Sequence, residues 1–172
     1  MANNFTKLLF LFFIVLISTS ALNAQSPKVR KIIDKYTGDE GFTVVNISKN
    51  MLSMMKEGEN VENSALFDKI SGIQIIEYNA QSKNDPKVRQ IHEEMDKAVP
   101  AGEFRELMSL NDKGNAVKFM AKEKNSSSSE LCLISKNDIK TTLIVINGDL
   151  TLKELMTLTE EMNIFPKGVK GK

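Results

Sequence analysis

His92 is the one histidine among 172 residues and Cys132 the one cysteine, so the chemistry open to this chain is narrow. A zinc centre built on this pair would have to be completed by carboxylates, an unusual donor set for that ion. An isolated imidazole still titrates near neutral pH and can act as a base when an acid orients it. The candidates for that acid are Asp39 and Glu40, in a bend between Gly38 and Gly41. Cys132 sits between Leu131 and Leu133, where strand alternation buries one face or the other. A buried thiol is inert, whereas a reactive one needs exposure and a lowered pKa. With one cysteine no intrachain disulfide is possible.

Met51, Met54 and Met55 recur at helical spacing and, with Leu52, read as an ordinary core stripe. The rival readings are an adaptable partner-binding groove and soft thioether ligation of reduced copper. Acidic pairs stand at Asp39-Glu40, Glu93-Glu94 and Glu160-Glu161. A glycosidase needs two carboxylates across a cleft, and neighbours on a helix point apart, so these pairs read as solvated faces. Ser126 to Ser129 reads as a polar hairpin loop. Phosphate-binding loops, dinucleotide fingerprints, calcium loops, zinc-protease helices and nucleophile elbows are absent from the sequence. No residue is assigned a catalytic, cofactor-binding or metal-ligating role.

The elements that would position these side chains follow from periodicity. Ser26-Pro27 opens a short helix with Val29, Ile32, Ile33 and Tyr36 on one side, ended by Gly38. A strand over 42–47 leads to a helix capped by Ser48, and a second helical segment carries Leu66, Phe67 and Ile70 up to a stop at Gly72. A strand from Ile73 to Tyr78 precedes Asp85-Pro86, which starts a helix bearing Val88, Ile91, Met95 and Ala98. From Phe104 the period changes from helical to alternating. Four strands follow, with turns at 111–114, 125–129 and 137–138, and the segment from Thr141 to Ile146 is apolar enough on both faces to be central. Thr151 and Glu154 form a capping box for a last helix that ends at Pro166. This order predicts an α+β two-layer sandwich, a largely antiparallel sheet of about six strands with helices on one face.

Residues 1–24 have the pattern of a cleavable signal peptide: Lys7, an unbroken apolar run from Leu8 to Ile17, then small residues up to Ala24. The run is half the roughly 20 residues a membrane-spanning helix needs. Cleavage after Ala24 would leave residues 25–172 as one α+β domain with a basic, flexible tail over 167–172. Loss of Lys7 with the leader leaves 22 basic against 22 acidic side chains. That balance speaks against nucleic acid or an anionic membrane surface as the main partner, since both favour a basic excess. A lipid anchor would need cysteine at the first mature position, where this chain has Gln25.

The segments Ile33 to Tyr36, Gly41 to Lys49, Met51-Leu52 and Gly72 to Ile76, with the later landmarks Phe104 to Met108 and Ile146-Asn147-Gly148, resemble the bacterial domain of unknown function 4252 family. The resemblance implies an exported or lipid-anchored envelope protein. It implies no activity and no site residues.

These observations lead to the expectation of an exported protein, periplasmic or secreted and soluble after cleavage. Its expected role is a non-enzymatic binding or interaction module for an envelope protein or small molecule, with self-association open. The alternatives are a hydrolase using His92 with Asp39 or Glu40, and a small-molecule carrier with an apolar cavity between sheet and helices.

Overall fold

The computed structural model describes residues 25–58, 64–83, 85–124, 127–151, 153–154 and 157. The leader, the basic tail and most of the last helix expected from the sequence lie outside the described residues.

Pro27 at the first helical position starts helix α1 (Pro27–Tyr36), which buries Val29, Ile32, Ile33 and Tyr36. Strand β1 (Phe42–Ser48) leads into α2 (Lys49–Gly58) and α3 (Ser64–Lys69), and then into β2 (Ile70–Asn79). Helix α4 (Pro86–Ala98) is capped by the Asp85 carboxylate, which accepts from the backbone of Lys87, and it buries Val88, Ile91, Met95 and Ala98. A meander of β3 (Arg105–Asp112), β4 (Asn115–Lys124), β5 (Ser127–Lys136) and β6 (Lys140–Leu150) completes the described elements.

The six strands form one sheet in the order β1-β2-β6-β5-β4-β3, and every neighbouring pair is antiparallel. This is the expected α+β class. It places β6 inside the sheet, where its two-faced apolarity is needed: Leu143 and Val145 point to one side, Ile144 and Ile146 to the other. On the first side α1 and α4 form the second layer of the sandwich, closing over Ile76, Met120, Cys132, Ile134, Leu143 and Val145. On the opposite side α2 and α3 add further cover, with Leu52 packed against Ile70, Ile73, Ala121, Leu131 and Ile146.

Several boundaries move from their expected positions, each for a local reason. Gly72 does not end a helix. It lies in β2 beside a register shift, and a Cβ on it would stand 3.3 Å from the Ile47 carbonyl oxygen. Its neighbour across the β2–β6 junction is tighter, since a Cβ on Gly148 would stand 2.5 Å from the Lys69 carbonyl oxygen. The turn between β3 and β4 is two residues long because Lys113 and Gly114 both take positive φ, at 45° and 85°, which lets the strands run up to Asp112 and Asn115. The serine stretch after it is not a loop throughout: Ser127 and Ser128 pair with Lys124 and Glu123 as the start of β5. Ser126 lies outside the described residues. At the far end, Thr151 and Glu154 form the expected capping box, with the Glu154 amide donating to Thr151 Oγ1 at 3.3 Å and the Thr151 amide donating to Glu154 Oε2 at 2.8 Å.

Candidate functional site

The charged pocket worth describing opens where α4 leaves its cap. Lys83, Asp85, Pro86, Val88, Arg89 and His92 line it, with Asp138 from the β5–β6 turn, and its volume is about 540 Å³. Val88 is buried and fixes one side of α4 against the sheet. Helical spacing then carries Arg89 and His92, three residues apart, toward the pocket. Across it, the β5–β6 turn is held by the Asn137 carbonyl side-chain oxygen, which accepts from the amides of Ile139 and Lys140 at 3.0 and 2.8 Å. Two rigid elements therefore set the width of the opening.

Within this lining the charges are unequally engaged. Asp85 is spent on structure: it caps α4 and accepts from the Tyr78 hydroxyl at 2.5 Å. Those two bonds hold its carboxyl below the ordinary carboxylate range, while the bond to Asp85, and then burial, push the Tyr78 hydroxyl up to about 12. Lys83 and Arg89 have no carboxylate partner among the described residues. His92 Nε2 is buried with no hydrogen-bond partner. Burial, and then the Lys136 ammonium, lower the His92 pKa, so the ring is neutral at pH 7. Lys136 itself is fixed by Asp96 at 2.5 Å and donates to the His92 carbonyl oxygen at 3.0 Å.

The structure does not assemble His92 with either acid proposed for it. Asp39 faces Lys87 at 3.7 Å, and neither Asp39 nor Glu40 lines the pocket. No group of three or more metal-ligating side chains occurs among the described residues. Cys132 is fully buried in the core, and burial pushes its thiol pKa well up, which is the inert state. The acidic pair on α4 splits. Glu93 is exposed, whereas Glu94 accepts from Lys35, Tyr36 and Gln90 at 2.5, 2.6 and 2.9 Å and belongs to the packed layer rather than a solvated face. Glu160-Glu161 lies outside the described residues.

The methionine expectation is corrected. Among the described side chains of α2, Leu52 is buried, whereas Met51 is 51% exposed and Met54 68% exposed; the Met55 side chain lies outside the described residues. With Leu52 turned to the sheet, side chains one before and two after it are carried outward. A second groove of about 390 Å³ runs between α1 and α4 under Lys28, Lys31, Lys35 and Lys97. Three of those lysines are held by Glu103, Glu94 and Glu93, so this groove is largely self-neutralised.

The family described as a domain of unknown function (DUF4252) matches residues 36–158. The chain belongs to that family. No curated protein matches. A crystal structure of a protein of unknown function from Pseudomonas aeruginosa is similar at 7% identity and a TM-score of 0.35, over 78% of this chain and 85% of that one. The DUF4252 match takes in β1 through β6, and with them the His92 pocket; Ser26 and most of α1 precede it.

One buried acid of this DUF4252 chain escaped the sequence reading. Glu130 on β5 is fully buried; its Oε2 accepts from the Ser26 amide at 2.8 Å, and Oε1 has no partner among the described residues. Burial raises its pKa, against the smaller lowering effect of the Ser26 amide. The signal was there in the alternation: Glu130, Cys132 and Ile134 share a face, and that face is the core side.

Proposed function

We propose that this DUF4252 protein is an exported, non-enzymatic binding module that takes a small polar ligand with an anionic group in the pocket beside α4. The observation that carries the reading is the pairing state of the lining. Two cations without a carboxylate partner among the described residues, Lys83 and Arg89, line with His92 and Asp138 a pocket of about 540 Å³, a volume in the range of small-molecule sites. The absence of an orienting acid at His92 argues for binding over acid–base catalysis. The charged groups in the lining, Lys83, Asp85, Arg89 and Asp138, favour a polar ligand over an apolar one. Export rests on the leader pattern of residues 1–24 and on Gln25 as first mature residue. Among the described residues no helix is long and apolar enough to cross a membrane.

The test is an NMR titration of ¹⁵N-labelled protein with inorganic phosphate, citrate and a hexose phosphate at millimolar concentration. Shifts confined to Lys83, Arg89, His92 and Asp138, and reduced in Arg89→Ala, are the expected result. Unshifted pocket resonances with all three probes would overturn the ligand assignment.

A second reading, docking of a protein partner, is favoured by the outward Met51 and Met54 beside Val45 on edge strand β1, all three exposed. Its test is crosslinking from a photoreactive residue at position 54 in envelope extract. Adducts that disappear when the reactive group is moved to Lys118 on β4 are expected, and an identical pattern from both positions counts against it.

A further inference from the structure

The unsatisfied carboxylate at Glu130 lies against the one place where export would create a new charge. Glu130 is fully buried, its Oε1 has no partner, and its Oε2 holds the amide of Ser26 at 2.8 Å. Ser26 is itself fully buried, and its hydroxyl also lacks a partner. The backbone nitrogen of Gln25 is three bonds from that of Ser26, so about 3 to 4 Å from it in space. It therefore lies within about 7 Å of Glu130 Oε2. Gln25 is in turn fixed by its side-chain amide, which donates to Gln74 Oε1 at 2.5 Å, and Gln74 donates onward to Asn46. The first two residues of the mature chain are thus seated on the sheet by Gln74 of β2 and Glu130 of β5.

We propose that Glu130 is the receptor for the mature N-terminus: cleavage after Ala24 converts the amide nitrogen of Gln25 into an ammonium, and this ammonium pairs with the Glu130 carboxylate beneath α1. The inference rests on the export reading above and adds a role for cleavage. Hydrolysis of the Ala24–Gln25 amide by water leaves a carboxylate on Ala24 and an amine on Gln25, which is protonated at neutral pH. Before the cut the site holds a neutral amide and a half-satisfied acid, a costly arrangement in a low-dielectric interior. After the cut it holds a countercharge. The ion pair forms in the processed chain alone, so the fold around α1 is completed by export.

Two other charged groups act on Glu130, Lys122 and Glu103. Lys122 is its cross-strand partner on β4, and its ammonium stands 6.0 Å over the Phe104 ring. Glu103, ahead of β3, is bonded to Lys28 of α1 at 2.5 Å. Asn147, opposite Glu130 on β6, also has a buried, unpartnered side-chain oxygen. That oxygen is a second acceptor for an ammonium, which has three protons to give.

The experiment uses protein recovered from cells expressing the full chain, as wild type and as Glu130→Gln. Intact mass gives the first residue, and the rate of acylation of the α-amine by a limiting reagent at pH 7 gives its ionisation. Pairing raises the α-amine pKa, and each unit lowers the reactive neutral fraction about tenfold. The expected result is Gln25 as first residue, with a wild-type α-amine that acylates at least about tenfold more slowly than in urea. That protection is lost in Glu130→Gln. Should Glu130→Gln not fold, the wild-type ratio between native and urea-unfolded protein decides. Equal rates in the native and unfolded states overturn the pair, as does equal protection in a folded Glu130→Gln. A mass 17 Da low, from cyclised Gln25 with no free amine, also overturns it. A first residue other than Gln25 overturns the cleavage site as well, which separates failure of the export reading from failure of the pair.

Discussion

Two carboxylates in the layer between α1, α4 and the sheet have opposite fates. Glu94, on α4, is met by a lysine, a tyrosine and a glutamine. Burial works against its ionisation, but the bonds from Lys35, Tyr36 and Gln90 outweigh that and hold the carboxyl at about 2. Around it the rings of Tyr36 and Phe42 stack at 3.9 Å, and Phe42 leans on Tyr78 at 4.9 Å, so the polar bonds are anchored in an aromatic cluster. Glu130, at the other end of α1, has one amide and no cation in bonding contact among the described residues, and its pKa rises. The difference shows where the fold has finished its polar bonding and where it has left a group waiting. In this chain the finished region is structural, and Glu130 Oε1 and His92 Nε2 are among the buried side-chain atoms left without a hydrogen-bond partner among the described residues.

The comparison is broken most severely by removing what both regions stand on. Ile91 is fully buried on α4, in the cluster that joins the Tyr36 end to Met120 and Cys132. Ile91→Ala should cost about 2 to 5 kcal/mol by urea unfolding, through lost burial and the cavity it leaves. The next effect is local. Tyr36→Phe removes the 2.6 Å bond to Glu94 while keeping the stacked ring, and should cost about 1 to 2 kcal/mol near neutral pH.

The same variant has a pH signature. The folded Glu94 value of about 2 lies below its ordinary 4.5, so the stability it contributes is complete above 4.5 and is lost as pH falls through about 2. Tyr36→Phe moves the folded value back toward 4.5, and the deficit relative to wild type should shrink over that acid range. Glu130 has the opposite sign. Its folded value is raised, so in the leader-bearing chain, where Gln25 has no free amine, stability should fall as pH rises from about 4.5 through that value. Glu130→Gln in the leader-bearing chain should flatten this fall, visible as a melting temperature that no longer drops between pH 4.5 and 7. A steeper fall in the variant would mean that Glu130 is not the group responsible.

Much of this architecture was legible because periodicity reports burial directly. Val29, Ile32, Ile33 and Tyr36 on α1, and Val88, Ile91, Met95 and Ala98 on α4, are all buried as their spacing requires. The class of the fold, and β6 inside the sheet, follow from the same reasoning. What periodicity cannot encode is partnership across the fold. Glu94 lies 58 residues from Tyr36 and Glu130 lies 104 from Ser26; alternation puts Glu130 on the core face, but nothing local names the partner of either acid. Met51 and Met54 depart from the expected stripe for a related reason: helical spacing groups them with Leu52, but the helix turns Leu52 to the sheet and leaves these two outside. The His92 pocket was half legible. The histidine was singled out and Arg89 shares its helix, but Lys83 comes from the segment before α4 and Asp138 from the turn after β5, and no motif announces that they meet.

The smallest stability effect belongs to the pocket, and that is what makes it a useful contrast with the Tyr36–Glu94 region. Arg89 has no acid partner among the described residues, so Arg89→Ala removes no native bond and should change stability by less than about 0.5 kcal/mol. Affinity for an anionic probe should nevertheless fall about tenfold, equivalent to about 1.4 kcal/mol, because the lost guanidinium is a direct ligand group in the proposed site. The two readouts together discriminate. A structural arginine would lose stability and binding in step, whereas a ligand-facing one loses binding alone. Measured by urea unfolding and by phosphate titration on the same preparation, a loss of stability above 1 kcal/mol without loss of binding would move Arg89 from the waiting groups to the finished ones.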